Sequence, residues 1–286
     1  MASVLGIVSD RRSSGIGTEA VMKIITWNVN GIRAVERKGE LNNLIENEAP
    51  DILLIQEIKG QSQQFSKFLT EHPAYAQHYH SAEKKGYAGT GVWLARSTAE
   101  SLRNISLGTE VSDLPNADEG RVLQLDFTLK RSHHSILSIY FPNGGKSEQA
   151  WREKLVFYDR ILDHMNRLRD AGRKVIIGGD MNVAHTEIDI ARPKENDGQI
   201  GFHPAERAWM DRVHQDNWID AWRGKNPGVV DVYSWWNMTT RARDRNVGWR
   251  IDYLLIDRKN LAKVTQIAYL NQQLGSDHCP LSMTIA

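Results

Sequence analysis

The segment "VIIGGDMNVAH" at residues 175–185 begins with a short β-branched run and then changes character. The run is typical of a strand that is buried on both faces. Two glycines come after it, and then Asp180 and Asn182. Because Gly, Asp and Asn also close ordinary strands, the segment alone predicts a strand that ends either in a plain turn or in a site.

Similar strand-like runs occur along most of the chain. They are "KIITWNV" (23–29), "DILLIQE" (51–57), "GTGVWLA" (89–95), "RVLQLDFTL" (121–129), "SILSIYF" (135–141), "KVIIGGD" (174–180), "IDYLLID" (251–257) and "LSMTIA" (281–286). Helical spacing of apolar residues is clearest over 148–171, and helices are also predicted near 40–48 and from Pro204. With no Pro-, Gly- or Ser-rich linker between these segments, we predict one α/β domain over 22–286, with mostly buried sheets.

The composition is that of a globular protein with almost balanced charge. The 286 residues include 36 Lys and Arg against 35 Asp and Glu, a net charge of +1. Any site for a polyanion must therefore be local. Cys279 is the single cysteine, so no intramolecular disulfide can form. No apolar run approaches the roughly 18–20 residues of a membrane span, which predicts an intracellular protein without membrane contact.

Residues 1–21 are unlike the rest of the chain and are interpreted as an N-terminal extension that is disordered in part. Their "SSGIG" segment (13–17) resembles a dinucleotide-binding glycine loop only weakly. It lacks the third glycine, and the next strand begins too soon for the helix that would receive a pyrophosphate. We predict no nucleotide cofactor.

Polar residues recur where the apolar strands end. They are Asn28 and Asn30, Glu57, Tyr140 and Asn143, Asp180 and Asn182, Asp252, and Asp277 and His278. Any one of them alone would more often be a turn residue, a helix cap or a structural histidine. Six such endings from distant segments favour a shared crevice, since strand ends on one side of an α/β sheet converge.

The residue types at these endings indicate a hard cation. Asp, Glu and Asn supply oxygen ligands, without the Cys and paired His that zinc favours, so Mg²⁺ is predicted and Mn²⁺ is a plausible substitute. Such a metal usually serves phosphate substrates by neutralising charge as the leaving group departs. The same set offers a carboxylate for water and a carboxylate–histidine pair.

The motifs, taken in order, resemble a known family over residues 22–286. They are "WNVNGIRA", "LIQEIK", "YFPNGG", "GGDMNVAHTEIDIARPK", "GFHPAERAWMD", "NVGWRIDYLLID" and "GSDHCP". Together they resemble the exonuclease III family of apurinic/apyrimidinic endonucleases, within the endonuclease/exonuclease/phosphatase superfamily. "GDMN" and "SDH" point only to a metal-dependent phosphoesterase, whereas "NVAHTEIDI", "GFHPAER" and "NVGWRIDYLL" point to abasic-site repair.

The resemblance implies a metal site with Glu57 as the main Mg²⁺ ligand, helped by Asp277 and by Asn28 or Asn30. In two-metal descriptions of the family, Asp180 and Asn182 are ligands as well, and His278 is counted with this set. At Asn30 some relatives carry Asp, which implies a missing acidic ligand and a lower metal affinity. Ile58 replaces a common Thr, which looks minor.

The resemblance also implies the roles in the reaction. Asp180 would orient and deprotonate the attacking water, and Asn182 would hold that water or a phosphate oxygen. Asp252 would pair with His278, which touches the scissile phosphate and is the base in a competing account. Tyr140 would stabilise the phosphate or the leaving group. The two glycines before Asp180 are expected to let the backbone approach the phosphate.

The fold implied is a four-layer α/β sandwich like that of deoxyribonuclease I, with two packed mixed sheets flanked by helices. Its DNA-binding surface would include the segment 233–251, where four arginines are interleaved with three tryptophans. Arginines position a duplex through its phosphates, and large aromatics can wall a pocket for a flipped-out sugar. The candidates are Lys84, Lys85, Tyr87, Asn143, Lys146, Trp235, Arg243, Trp249, Arg250 and Ile251. Trp236 is instead predicted to be a core residue.

The expected activity is Mg²⁺-dependent hydrolysis of the phosphodiester 5′ to an abasic site, leaving a 3′-hydroxyl, in base excision repair. The substrates would be double-stranded DNA with abasic sites or blocked 3′ ends, with some 3′-phosphodiesterase and 3′–5′ exonuclease activity. The protein would act as a monomer in the bacterial cytoplasm or nucleoid, or in a eukaryotic nucleus. Two alternatives stay open at this point: a phosphoesterase for inositol phosphates or sphingomyelin, and a DNA-binding module without activity.

Overall fold

A computed structural model describes residues 21–286, so the predicted extension over 1–21 lies outside the described residues except for Val21. The strands in this part of the chain are β1 (Met22–Asn28), β2 (Ile52–Gln56), β3 (Tyr75–His80), β4 (Thr90–Ala95), β5 (Leu102–Gly108), β6 (Val122–Leu129), β7 (Ser132–Tyr140), β8 (Lys174–Asp180), β9 (Trp218–Asp220), β10 (Asp252–Asp257), β11 (Val264–Tyr269) and β12 (Leu281–Ile285). The helices are α1 (Ile32–Arg37), α2 (Glu40–Glu48), α3 (Lys67–Thr70), α4 (Arg96–Ala99), α5 (Glu148–Asp170), α6 (Pro193–Asn196), α7 (Pro204–Gln215) and α8 (Ala221–Lys225). All the predicted strands and helices are present within one or a few residues of their predicted bounds.

The strands form two six-stranded sheets. The first sheet has the order β11-β12-β1-β2-β4-β3, and the second has the order β5-β6-β7-β8-β10-β9. Each sheet is mixed, because β1 pairs with β2 and β7 with β8 in parallel, while the other neighbours are antiparallel. The predicted four-layer sandwich of two mixed sheets flanked by helices is therefore confirmed.

The core explains why the central strands are apolar on both faces. Between the sheets, Ile24 and Leu54 of the first sheet share a cluster with Leu125 and Leu254 of the second. On the outer face of the second sheet, α5 and α7 cover residues such as Leu137 and Leu255 with a further cluster. A third cluster joins α1 and α2 to the outer face of the first sheet. Each central strand thus has two buried faces.

The long helix α5 has clear boundary signals. The hydroxyl of Ser147 accepts a hydrogen bond from the backbone N–H of Ala150 at 3.1 Å, which is an N-cap. Gly172 lies just after the helix with φ of 79°, as predicted for its C-terminal stop. The N-terminal part of α5 lies beside the loop after β7, where Lys154 donates to the carbonyl oxygen of Asn143.

The glycines before Asp180 have a packing role in the fold, and their approach to a phosphate stays a prediction. A Cβ atom on Gly179 would lie 1.8 Å from the carbonyl oxygen of Ile139, and one on Gly178 would lie 2.6 Å from Leu54. Gly179 therefore allows β8 to sit against β7. Gly178 allows the second sheet to approach the first.

The two sheets are also joined by buried polar contacts close to one end of the sandwich. Gln56 Nε2 donates to Ser138 Oγ at 2.9 Å, and that hydroxyl donates to the carbonyl oxygen of Ile55 at 2.9 Å. In the second sheet, Asp180 stands opposite both Tyr140 and Asp252 in the strand register. This register lines up three of the predicted polar residues in one row at the same end.

Candidate active site

A cleft of about 380 Å³ opens at this end of the sandwich and is shared by both sheets. Its lining residues are Asn30, Glu57, Lys59, Tyr140, Asn143, Asp180, Asn182, Ile200, Gly201, Trp235, Trp249, Ile251, Asp277 and His278. Most of the candidate residues at the ends of apolar strands therefore surround one space.

Asp180 lies at the base of the cleft and is only 2% exposed. Its carboxylate accepts hydrogen bonds from Asn28 Nδ2 at 2.9 Å, from Asn182 Nδ2 at 3.2 Å and from the backbone N–H of Asn182 at 2.8 Å. Burial raises the pKa of Asp180, His278 opposes that rise and Asp252 adds to it, so that the pKa lies at about 7. A carboxylate of this kind can accept a proton near neutral pH.

His278 is held between two carboxylates. Its Nδ1 lies 2.8 Å from Asp252 Oδ2, and its Nε2 lies 3.8 Å from Asp180 Oδ2. Burial alone would lower the pKa of His278, but Asp252 and its hydrogen bond outweigh burial and raise the pKa to about 10. Around neutral pH His278 is therefore a cation whose Nε2–H faces the cleft, a suitable donor to an anionic oxygen.

Oxygen atoms that could hold a cation converge on the other side of the cleft. Glu57 Oε1 and Asn30 Oδ1 lie 2.8 Å and 2.5 Å from the Lys59 ammonium. Asn30 also donates through Nδ2 to Asp277 Oδ1 at 2.9 Å. Although burial would raise the pKa of Asp277, His278 and the hydrogen bonds from Asn30 and Trp235 lower it, so this carboxylate stays charged.

This donor set fits a hard divalent cation, because two oxygens already hold a positive ammonium there and a second carboxylate stands beside them. Over residues 21–286, three or more His, Cys, Asp or Glu side chains do not come together in a way that could hold a metal. A metal here would accordingly depend on the amide of Asn30 and on solvent ligands.

Asn28 differs from its predicted place in a ligand set. It is fully buried, and its Oδ1 accepts a hydrogen bond from the backbone N–H of Asn30 at 2.9 Å while its Nδ2 is bound to Asp180. Since its amide is committed within the protein and does not line the cleft, we leave Asn28 out of the proposed ligands. Its contacts fix Asp180 and the turn that carries Asn30.

Tyr140 lines the same cleft. Burial, and then Glu57 and Asp180, raise its pKa well above the usual value, while Arg121 opposes that rise. The hydroxyl therefore stays protonated and is a neutral donor. The Arg121 guanidinium lies 4.7 Å from the centre of the Tyr140 ring and supports it from behind.

One wall of the cleft is apolar and aromatic. Trp235 and Trp249 meet edge to face, with ring centres 6.0 Å apart, and Ile251 and Gly201 complete the wall. Trp235 Nε1 donates to Asp277 Oδ2 at 3.0 Å, so the wall is attached to the oxygen cluster. Trp236 is 4% exposed, which confirms its prediction as a core residue.

A second depression of about 370 Å³ adjoins the cleft and shares Asn143 with it. Tyr87 and Lys146 line this depression, and the Lys84 ammonium lies 5.1 Å from the centre of the Tyr87 ring. Lys84, Lys85 and Lys146 are exposed and supply positive charge along this side. Tyr87, Asn143 and Lys146 thus lie beside the cleft, with the Lys84 ammonium next to Tyr87.

Two arginines of the predicted DNA-binding set, Arg250 and Arg243, make contacts within the protein. Arg250 is fully buried and paired with Asp189 at 2.7 Å and with Asp220 at 2.6 Å, so its prediction as a DNA contact is wrong. Arg243 donates to the carbonyl oxygens of Asn271 at 2.7 Å and Gln273 at 2.8 Å, and stacks on Trp236 at 4.6 Å. Its guanidinium holds the segment 233–249 against the loop before Asp277.

Three cleft residues, Lys59, Ile200 and Gly201, were absent from the predicted set. Lys59 is the last residue of the motif "LIQEIK", so this motif was an available signal for it. Ile200 and Gly201 lie at the start of the motif "GFHPAERAWMD" or next to it, so the motif was an available signal for this wall.

Within the described part of the chain, none of the helices is both long and apolar enough to span a membrane.

Comparison with known proteins agrees with this geometry. The family model described as Endonuclease/Exonuclease/phosphatase family matches residues 25–278. The chain is 35% identical to an exodeoxyribonuclease of Bacillus subtilis over 265 residues, which cover 92% of this chain and 99% of the relative. It is 32% identical to a DNA-(apurinic or apyrimidinic site) endonuclease of Dictyostelium discoideum over 273 residues, which cover 93% of this chain and 71% of the relative.

The fold agrees with a solved relative as well. The crystal structure of an AP endonuclease from Leishmania major superposes with a TM-score of 0.83 at 28% identity, covering 93% of this chain and 87% of the other. The chain therefore belongs to the endonuclease/exonuclease/phosphatase family. Within that family its similarity is to enzymes named exodeoxyribonucleases and AP endonucleases, which confirms the resemblance stated from the motifs.

Proposed function

We propose that this protein is a divalent-metal-dependent DNA repair endonuclease that hydrolyses the phosphodiester 5′ to an abasic site and leaves a 3′-hydroxyl. The observation that carries the proposal is the position of the aromatic wall, Trp235 and Trp249, beside the Asp180–His278–Asp252 cluster. A narrow apolar pocket suits a sugar without its base, and the adjacent cluster suits attack on the neighbouring phosphate. The names of the relatives support the same substrate.

In the proposed reaction Asp180 orients a water molecule and takes its proton, since its pKa lies at about 7. Asn182, whose amide N–H groups are bound to Asp180 and to the carbonyl oxygen of Phe141, would hold that water through its Oδ1. The His278 imidazolium donates Nε2–H to a phosphate oxygen and stabilises the charge that develops there. Because a protonated imidazole has no free lone pair, we assign His278 to the phosphate instead of to a metal or to the base.

Glu57, Asn30 and Asp277 would hold the metal, which would be Mg²⁺ with Mn²⁺ as a substitute. When bound, the metal would neutralise charge on the phosphate and on the leaving oxygen. Tyr140 would donate its hydroxyl to the same leaving side, because its raised pKa keeps it protonated.

A second set of residues would supply the contacts to the rest of the duplex. Lys84, Lys85, Tyr87, Asn143 and Lys146 would bind flanking phosphates, which position a duplex without reading its sequence. The same cleft would remove blocking groups from 3′ ends and trim 3′ nucleotides, as part of base excision repair. We treat the protein as a monomer, because one chain supplies every residue in the proposed reaction. It would act in the compartment that holds the DNA.

The test is a duplex with one tetrahydrofuran abasic analogue, incubated with the protein and Mg²⁺. Wild type is expected to cut 5′ to the analogue, and Asp180→Asn is expected to lose about 10²–10⁴-fold in rate, the usual contribution of a general base. No cutting by wild type, or full cutting by Asp180→Asn, would overturn the proposal. Phosphate release from inositol phosphates or sphingomyelin would instead favour another phosphoesterase. DNA binding without turnover would indicate a binding module.

A further inference from the structure

Lys154 and Glu206 form an ion pair that the proposed reaction does not use. Lys154 is on α5 and Glu206 is on α7, and neither side chain has any exposed surface. A buried ion pair is a poor source of stability, because desolvation of both charges offsets their attraction. Its presence therefore requires a reason other than stability.

The lysine end of the pair binds the backbone of two cleft residues. Lys154 Nζ donates to the carbonyl oxygen of Asn143 at 3.0 Å and to that of Asn182 at 2.9 Å, besides its contact with Glu206. Two of the N–H donors of the ammonium group thus reach backbone carbonyl oxygens, and its charge is paired with Glu206. A neutral side chain of similar size could not make this set of contacts.

The glutamate end binds the turn at residues 201–203, which packs against the aromatic wall. Glu206 Oε2 accepts hydrogen bonds from the backbone N–H of Gly201 at 2.7 Å and of His203 at 3.0 Å. Gly201 packs so closely on Trp249 that an added Cβ would lie 2.6 Å from its ring. The carboxylate thereby sets the distance between this turn and Trp249.

The loop after Asp180 is held at three consecutive carbonyl groups. Tyr158 donates its hydroxyl to Met181 at 2.8 Å, Lys154 binds Asn182, and Tyr253 donates to Val183 at 2.8 Å. Asn182 has φ of 51°, in the left-handed region where residues other than glycine are uncommon. Such a conformation persists when the surrounding structure fixes it.

We propose that Lys154 and Glu206 are positioning residues for the phosphodiester hydrolysis, an inference that rests on the function proposed above. The pair holds Asn182 against Asp180 and, through Gly201, holds the sugar wall at a fixed distance from the same carboxylate. It thus connects the group that orients water to the surface that selects the sugar. Neither residue touches the substrate.

The kinetic test compares Lys154→Met, Asn182→Ala and the double variant on the tetrahydrofuran duplex. Lys154→Met is expected to lower kcat by about 10²-fold, the effect of a small misplacement, with the Kd for the duplex in EDTA unchanged. In the Asn182→Ala background the same change is expected to cost much less than in wild type, because the part of its effect that passes through Asn182 is already lost. Independent, multiplying losses in kcat would overturn the inference, as would wild-type kcat in Lys154→Met.

The matched control is Arg173→Met, which breaks the Arg173–Asp126 pair, 3.1 Å apart, at the opposite end of β8. It is expected to keep the wild-type kcat. Lys154→Met with Glu206→Gln removes both buried charges, so it is expected to fold even if the single variant does not. It should still show the kcat loss, and wild-type kcat in this folded variant would overturn the inference.

A second measurement reads the positioning without any substrate, so it separates this inference from the proposed function. Amide hydrogen exchange is expected to become faster in segments 181–184 and 199–203 in both Lys154 variants, and to stay unchanged in Arg173→Met. Unchanged exchange in those segments would overturn the inference. Failure of wild type to cut the duplex, with faster exchange in the variants, would overturn the function while supporting the positioning of Asn182.

Discussion

Nε2 of His278 lies 3.8 Å from Oδ2 of Asp180, so an imidazolium and a carboxylate with opposite tasks share one buried space. Asp252 fixes the histidine from the other side at 2.8 Å. Asp252 raises the pKa of both Asp180 and His278, and Asp180 and His278 also change the pKa of each other. This arrangement leads directly to the first prediction.

We expect a bell-shaped dependence of kcat/KM on pH. Asp180 must be deprotonated, so the rate should rise through a pH of about 7, and His278 must be protonated, so the rate should fall through about 10. Asp252 raises both pKa values, so Asp252→Asn is expected to move both limbs to lower pH. Rates measured from pH 5 to 11 check this, and limbs that stay in place in Asp252→Asn would contradict it.

Asn30→Asp is expected to bind Mg²⁺ more tightly. The change places a carboxylate next to Asp277, with which Asn30 now forms a hydrogen bond of 2.9 Å, and a cation then relieves the repulsion. We expect a Kd about tenfold lower, which corresponds to about 1.4 kcal/mol of binding free energy. Titration with Mn²⁺, followed by electron paramagnetic resonance, measures it. Asn104→Asp, an exposed change far from the cleft, controls for net charge and should leave Kd unchanged.

Arg250→Met is expected to destabilise the fold without changing the salt dependence of DNA binding. Burial would raise the pKa of Asp189, but Arg250 and Arg223 hold it well below its usual value. Removal of Arg250 leaves charge uncompensated in the interior, which costs about 3–5 kcal/mol. Urea unfolding measures the loss.

Lys85→Ala is the comparison for Arg250→Met, because Lys85 is exposed and is one of the proposed phosphate contacts. It is expected to keep the stability and to reduce the slope of log K against log salt by about 0.9, one phosphate contact. If Arg250→Met changed the slope and kept the stability, the assignment of a structural role would fail.

Trp249→Ala is expected to reduce the preference for abasic sites. The indole packs against Gly201 and narrows the wall, so its loss should admit a nucleotide that keeps its base. Selection by pocket size is worth about 10–200-fold, and a loss of this order is expected in the ratio of kcat/KM for abasic and undamaged duplexes. Val230→Ala, which changes an exposed side chain outside the cleft, should keep the wild-type ratio.

The central strands were predictable from the sequence, and the edge strands were not. β3, β5, β9 and β11 were missed, and these four are the outer strands of the two sheets. A central strand is covered on both faces by other layers and is paired along both edges with neighbouring strands. Its sequence is therefore a continuous apolar run. An edge strand such as "LRNISLG" has exposed positions and a polar sequence, so local pattern does not separate it from a loop.

Local sequence pattern also decided which cleft residues could be predicted. Asp180 and Glu57 stood out because a carboxylate at the end of a buried strand is easily recognised, and Asp277, which precedes β12, stood out through the motif "GSDHCP". Arg250 was misjudged because neighbouring arginines look alike in sequence, and only tertiary contacts with Asp189 and Asp220 show which one is internal. Lys154 gave no signal at all, since its acceptors lie 11 and 28 residues away in the chain.

The hydrogen bonds of Gln56 and Ser138 between the two sheets have a consequence for heat tolerance. Glu57 comes from the first sheet and Asp180 from the second, so the proposed metal and the proposed base keep their alignment only while the sheets do not slide. A small shear would separate them long before any strand unpaired. Inactivation on warming should therefore precede the loss of secondary structure, and Ser138→Ala should widen the temperature interval between the two events.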